Sequence, residues 1–213
     1  MKLGNFKKPY RLIQYIHDRI HPHLPQHRFD TAAYPHPNLD GYIRLHPMSG
    51  TISEEEFVRN ISEIAENSEN FTCAEHRWTL VKHDHGVFCK NSSTTEYNNE
   101  PIVRHFHITY SQSYGVPVLW FNFYRRDGSS LHLDDIVATI RTEFRSAIES
   151  DLIKSISQNE HPYLGIMFYH IHPCRTHLVM RDIRCNNYVL SWLSIFGSPL
   201  RLSLPSKMFQ HAQ

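Results

Sequence analysis

At 213 residues and 25.1 kDa, with 40% hydrophobic and 20% charged residues, the chain holds enough apolar material for one core, which excludes a fibrous or wholly disordered protein. Its 22 basic and 21 acidic side chains leave a net charge of +1, so it lacks the electrostatic footprint of a protein that binds nucleic acid or an anionic membrane. No window approaches the roughly 18 apolar residues of a membrane-spanning helix, and the N-terminus has no apolar signal core, so the expectation is a cytoplasmic chain with no stable membrane insertion.

Residues 1–47 differ from the rest, holding six of the 12 prolines and six of the 17 histidines. Pro22, Pro25, Pro35, Pro37 and Pro47 break any long helix, which predicts a flexible His/Pro-rich extension followed by one domain over 48–213. His17, His21, His23 and His27 have no carboxylate or cysteine framework beside them, so they read as a solvated tail and no metal is expected. Met48 follows immediately and is an alternative for the biologically used start.

Ser53-Glu54-Glu55-Glu56 is a capping box, and Phe57, Ile61, Ile64 and Ala65 follow at helical spacing. Trp78 to Lys82 and Val87 to Lys90 flank Asp84-His85-Gly86 as a hairpin, and the polar run through Asn99 reads as a loop. In 102–111, Ile102, Arg104, Phe106, Ile108 and Tyr110 alternate with Val103, His105, His107 and Thr109, as in a strand with one face on the core. Val116 to Tyr124 predicts the next strand, with its turn at Asp127-Gly128. Leu133 to Ile148 returns to helical period, Ile166 to Ile171 is a short apolar run, and Asn187 to Phe196 predicts a last helix stopped by Gly197 and Pro199. The order is helix, antiparallel meander, helix, irregular segment, helix, an α+β layout.

The irregular segment carries His172-Pro173-Cys174. The fixed φ of Pro173 restricts the backbone and can hold the Cys174 thiol outward, while His172 and Arg175 place positive charge beside it, which favours thiolate over thiol. Cys73, Cys89 and Cys185 have no such approach and read as ordinary small buried residues. No pair has CxxC spacing and no secretory signal is present, so reduced thiols are expected, without a disulfide or a cysteine zinc site.

The stretch His161-Pro162-Tyr163-Leu164-Gly165, with Phe168, His172-Pro173-Cys174-Arg175-Thr176 and Met180, resembles the active-site region of the autophagy-related protein ten family of E2-like conjugating enzymes, in its animal form. Tyr110-Ser111-Gln112-Ser113-Tyr114-Gly115-Val116-Pro117-Val118-Leu119, with its continuation through Asp127-Gly128 to Asp135-Ile136, resembles it as well. So do Asn187-Tyr188, Ser191-Trp192-Leu193-Ser194-Ile195 and Leu204-Pro205. Residues 50–100 resemble the family loosely, and residues 1–47 have no counterpart identified in it. The resemblance implies an E2-like core, an antiparallel sheet backed by helices. It also implies an activity in which the E1-like autophagy-related protein seven loads the ubiquitin-like autophagy-related protein twelve onto Cys174 as a thioester. The modifier then passes to a lysine of autophagy-related protein five, in support of autophagosome formation.

A thioester stays open to attack by an amine, so no cofactor or metal is expected, and His172 and Pro173 are expected to support the Cys174 loop. Ubiquitin E2 enzymes carry His-Pro-Asn upstream of their cysteine, whereas here His161-Pro162 is followed by Tyr163, so the oxyanion donor is not assigned. Beside a non-catalytic E2-like binding module, disfavoured because the cysteine is present, two rival readings remain. One is a lipid-conjugating E2 of the autophagy-related protein three type, disfavoured because the polar stretch 91–100 is short and residues 1–47 are proline-broken. The other is a cysteine hydrolase pairing Cys174 with His107 or His132.

Overall fold

A computed structural model describes residues 50–139, 155–183 and 185–209. The first helix, α1 (Glu54–Ser68), starts where the capping box placed it, with Ser53 Oγ accepting the Glu56 N–H at 3.1 Å. Three glutamates in its first turn suit the positive end of the helix dipole, and Phe57, Ile61, Ile64 and Ala65 form its buried stripe.

A sheet follows, built from β1 (Thr79–His83), β2 (Gly86–Tyr97), β3 (Glu100–Ser111), β4 (Val116–Tyr124), β5 (Ile156–Glu160) and β6 (Met167–Ile171). Among the described residues its order is β1-β2-β3-β4-β6-β5, every neighbouring pair antiparallel. Helix α2 (Leu133–Thr139) covers the start of the predicted 133–148 helix, and the rest of that segment lies outside the described residues. A short helix α3 (Thr176–Met180) follows β6, and α4 (Tyr188–Phe196) is the predicted last helix, capped by Asn187. The expected α+β layout is therefore the one the chain adopts. The readings of residues 1–47, His17, His21, His23 and His27 included, fall outside the described residues.

Of the polar run 91–99, expected as a loop, residues 91–97 are strand. β2 continues through Tyr97 and pairs with β3 across a tight turn in which Asn98 and Asn99 take φ of 51° and 62°, the left-handed region that asparagine tolerates. The misreading has a physical source, because the inward positions of this half of β2 are polar. Asn91 is buried with its Nδ2 donating to the carbonyls of Glu75 at 3.0 Å and Arg77 at 2.7 Å. Opposite Ser93, buried Arg104 donates to the Arg201 carbonyl at 3.1 Å and pairs with Glu75 at 3.5 Å. Tertiary partners take up these groups, Arg104 Nε excepted, so a period-2 pattern is present without hydrophobic residues marking it. β5 also escaped the sequence reading, since of Ile156-Ser157-Gln158-Asn159-Glu160 one residue alone is apolar and buried.

The inner face of the sheet carries Cys89, Ile102, Phe106, Ile108, Leu119, Phe121, Phe123 and Ile171 against α1 and α4. The N-terminus of α4 docks on α1 through amides. Asn187 Oδ1 accepts the Leu190 N–H at 2.8 Å, its Nδ2 donates to the Asn60 carbonyl at 3.0 Å, and Asn60 Oδ1 accepts the Val189 N–H at 3.1 Å.

The outer face is buried too, against the expectation of a strand with one face on the core. His107 and Thr109 of β3 are 5% and 2% exposed, beneath Trp120 and Phe168. The cover is the turn 161–165 between β5 and β6, closed by His161 N–H to the Ile166 carbonyl at 2.8 Å. Tyr163 from this turn stacks on Phe88, its hydroxyl so near Gly86 that a Cβ there would lie 2.7 Å from it. His161 accepts the Tyr163 N–H on Nδ1 at 3.3 Å, so its own proton is on Nε2, which donates to His107 Nδ1 at 3.2 Å. Burial pushes His107 down to about 3, helped by neighbouring His161, and burial alone pushes His161 down to about 4.

Two predictions follow from these contacts. Asn187→Ala removes a helix cap and a buried donor, and should lower unfolding stability by about 2–3 kcal/mol, of which Asn187→Ser should recover about 1 kcal/mol through its cap. Denaturant titration reads both. Because the folded pKa values of His107 and His161 lie below the unfolded value of about 6.5, their stabilisation is present above that pH. It falls as the pH drops from about 6.5 toward 4, at a slope approaching roughly 1 kcal/mol per pH unit for each histidine. The double variant His107→Asn with His161→Gln should flatten that slope, leaving the part due to His105 and His170, which burial lowers in the same direction.

Candidate active site

The backbone leaves β6 at buried Ile171 and is pinned at once, His172 N–H donating to the Ser155 carbonyl at 2.8 Å. Pro173, already locked near helical φ, opens a 3-10 turn, Pro173–Arg175, and the His172 side chain caps it: Nδ1 accepts the Cys174 N–H at 3.3 Å. The Thr176 N–H returns to the Pro173 carbonyl and the turn runs straight into α3, which is anchored by buried Thr176, Val179 and Met180. The segment read as irregular is thus a 3-10 turn joined to a short helix. Its outward corner is Cys174, whose side chain is exposed.

The other cysteines separate by environment. Cys89 is buried on the inner face of β2, and burial pushes its thiol up to about 12. Half-buried Cys185 is raised from its usual value, again first by burial. Cys73 departs from the expectation of a buried residue: it is exposed, at the N-terminal flank of the 3-10 turn Ala74–His76. Exposure alone therefore does not single out Cys174, but a proline-started turn at the end of a central strand does. All four are free thiols.

A second wall rises from the tip of the β3–β4 hairpin, where Tyr114, 41% exposed, meets the His172 ring edge-on with centroids 5.5 Å apart. The sequence marked Tyr114 only as part of a matching stretch, and nothing in its spacing brought it to Cys174. His172 also neighbours buried His170, which stacks on Trp120 at 4.5 Å.

His107 and His132, the bases considered for a hydrolase, are placed elsewhere. His107 is engaged with His161 beneath the 161–165 turn, and exposed His132 precedes α2, where its carbonyl accepts the Ile136 N–H at 3.1 Å. The His161-Pro162-Tyr163 segment likewise acts as a clip over the outer face, its imidazole committed to His107 and its phenol ring to Phe88. Among the described residues no group of three or more His, Cys, Asp or Glu side chains is arranged to hold a metal, and no helix is long and apolar enough to cross a membrane.

What this arrangement presents is an exposed sulfur on a hydrogen-bonded turn, next to a histidine whose ring meets Tyr114. Known proteins have sequences related to that of this chain. The ubiquitin-like-conjugating enzyme ATG10 of Homo sapiens is 37% identical over 115 residues, 50% of this chain and 52% of that protein. The protein of the same name from Arabidopsis thaliana is 34% identical over 125 residues, 52% of this chain and 54% of its own length. Autophagy-related protein 3 of Dictyostelium discoideum is 33% identical over 76 residues, 36% of this chain and 20% of that protein. The chain spans about half the length of the ATG10 relatives it matches. The family model described as Autophagocytosis associated protein, active-site domain, matches residues 13–207, beginning inside the stretch 1–47 for which the sequence reading found no counterpart. That match takes in the capped first helix, the sheet and the Cys174 turn, bearing out the resemblance and its E2-like α+β core, and the chain belongs to this family.

Proposed function

We propose that this chain is an E2-like conjugating enzyme of autophagy. Cys174 takes the C-terminal acyl group of the ubiquitin-like autophagy-related protein twelve from the E1-like autophagy-related protein seven. The same group then passes to a lysine of autophagy-related protein five, in the cytoplasm. The observation that carries this reading is the exposed Cys174 thiol on a turn capped by His172 and opened by Pro173, in a chain whose relatives are named as ubiquitin-like-conjugating enzymes.

The chemistry suits one sulfur held in the open. Trans-thiolation from an E1 cysteine requires that two proteins bring their thiols together, so an outward corner serves better than a pocket. The thioester then needs only an amine correctly placed at its carbonyl, a matter of orientation more than of acid–base strength. His172 supports the loop by fixing the Cys174 N–H, and Pro173 by fixing the turn. A hydrolase would need a base at the sulfur; His107 is committed to His161, and His132 sits at the start of α2. The similarity to an autophagy-related protein 3 favours, as a second reading, a phospholipid amine in place of the lysine, but it covers only 20% of that protein.

Incubated with the E1-like enzyme, ATP and the modifier, the chain should form an adduct near the sum of the two masses that reducing agent removes. Cys174→Ser should give a reduction-resistant, alkali-labile ester or no adduct, and Cys174→Ala none; an undiminished reducible adduct in Cys174→Ala refutes the assignment. Offering the charged protein a lysine acceptor in one arm and aminophospholipid vesicles in another separates the two acceptor readings.

Replacing Cys73, Cys89 and Cys185 together by alanine or serine should leave charging and transfer in place. It should lower stability by about 1–2 kcal/mol at each buried site, chiefly at Cys89. Single-turnover transfer on the folded fraction checks this, and a variant that charges but cannot transfer would assign one of these thiols to the second step.

A further inference from the structure

Residues 50–52 enter the fold between the two walls of the Cys174 site and touch both. Gly50 lies against the backbone of α3. Its φ is +71°, and a Cβ added there would fall 2.0 Å from the His177 carbonyl oxygen and 2.8 Å from the Arg181 nitrogen. Those two atoms are the partners of the 3.0 Å hydrogen bond that closes α3, so only a glycine can press on this helix so closely. The Gly50 carbonyl accepts the hydroxyl of Tyr188, the first residue of α4, at 2.7 Å, and that phenol is 1% exposed. Two residues on, the Ile52 N–H donates to the Gly115 carbonyl at 2.9 Å and the Ile52 carbonyl accepts the Tyr110 hydroxyl at 2.8 Å, which ties the strap to the β3–β4 hairpin.

The contacts close a ring. From Gly50 it runs through α3 back to the Cys174 turn, from there through His172 to Tyr114, and from the hairpin tip through Gly115 and Ile52 to Gly50 again. The strap is the part of this ring that joins the Cys174 side to the hairpin tip.

We infer that residues 50–52 act as a spacer that sets the separation of the Cys174 turn from the β3–β4 tip, and that Gly50 and Tyr188 are positioning residues for transfer from Cys174 to an amine. This rests on the thioester chemistry proposed above. In that step the acceptor's neutral amine attacks the thioester carbonyl. A C–N bond forms as the C–S bond breaks, Cys174 leaves as a thiolate and the surplus amine proton passes to solvent. Charging requires only that the sulfur be reachable, whereas aminolysis by a protein lysine requires alignment, and a misplacement of about 1 Å can cost on the order of a hundredfold. Relieving a 2.0 Å contact at Gly50 demands movement on that scale.

The test uses the full chain as Gly50→Ala and as Tyr188→Phe, the second removing only the hydroxyl that holds the Gly50 carbonyl. Three rates are read well below melting: thioester formation, discharge to the acceptor protein, and discharge to hydroxylamine, a small nucleophile that needs no placement. Charging and hydroxylamine discharge should stay within about threefold of wild type, while acceptor discharge falls about tenfold or more in Gly50→Ala and about threefold in Tyr188→Phe. If Gly50→Ala does not fold, Tyr188→Phe decides alone. Acceptor discharge within twofold of wild type overturns the inference. So does a parallel fall in hydroxylamine discharge or charging, which would mark general damage. A wild-type chain that forms no reducible adduct fails the thioester reading itself and takes this inference with it.

Discussion

Burial of β3 and β4 on both faces is the constraint on which the rest of the structure depends, because it decides where every later element can go. An antiparallel sheet can leave one face to water, and such strands alternate apolar with polar residues. Here the inward Phe106, Ile108, Leu119, Phe121 and Phe123 meet α1 and α4, while the outward His107, Thr109, Val118 and Trp120 are covered as well. Polar groups on that second face must then find partners inside the protein. Trp120 Nε1 donates to Thr109 Oγ1 at 2.8 Å, and His107 Nδ1 accepts the Nε2–H of His161 at 3.2 Å. The 161–165 turn is therefore held in place by what it covers, and β6, which leaves that turn, inherits its position against β4.

The consequence reaches Cys174 within a few residues. β6 pairs with β4 through Trp120 opposite His170 and Phe121 opposite Tyr169, so the strand that delivers the cysteine is fixed to the most buried part of the sheet. The sulfur gains its exposure from the turn and its rigidity from the strand. Such a division suits a carrier of a large acyl group. A buried thiol such as Cys89, pushed up to about 12, would be protonated and unreachable, and a thiol on a free loop would have no defined approach for a second substrate.

The same economy joins the first and last helices to the site. Asn187 caps α4 and reaches the Asn60 carbonyl on α1, while the next residue, Tyr188, reaches the Gly50 carbonyl beside α3. One helix N-terminus thereby ties Gly50 and α1 into one buried hydrogen-bonded junction, where each group is more costly to leave unpaired than it would be at the surface.

Much of this was legible in residues alone. The capping box at Ser53, the apolar stripe of α1, the strands around Phe106 and Trp120, the Asn187 cap and the proline-led Cys174 are local patterns, set by backbone geometry and short-range hydrogen bonds that a sequence displays directly. Separated motifs in the right order carried the family resemblance. What only the tertiary structure decided is everything in which a polar group is satisfied from far along the chain. The second half of β2 looked like a loop because Asn91 and Ser93 face inward, while Asn91 and Arg104, which lies opposite Ser93, find carbonyl partners near residues 75–77 and 201. The pairing of His107 with His161, the meeting of Tyr114 with His172 and the contact of Gly50 with His177 join residues at least 54 positions apart. No periodicity encodes such contacts, since the free energy that favours them exists only once the sheet has brought their strands together.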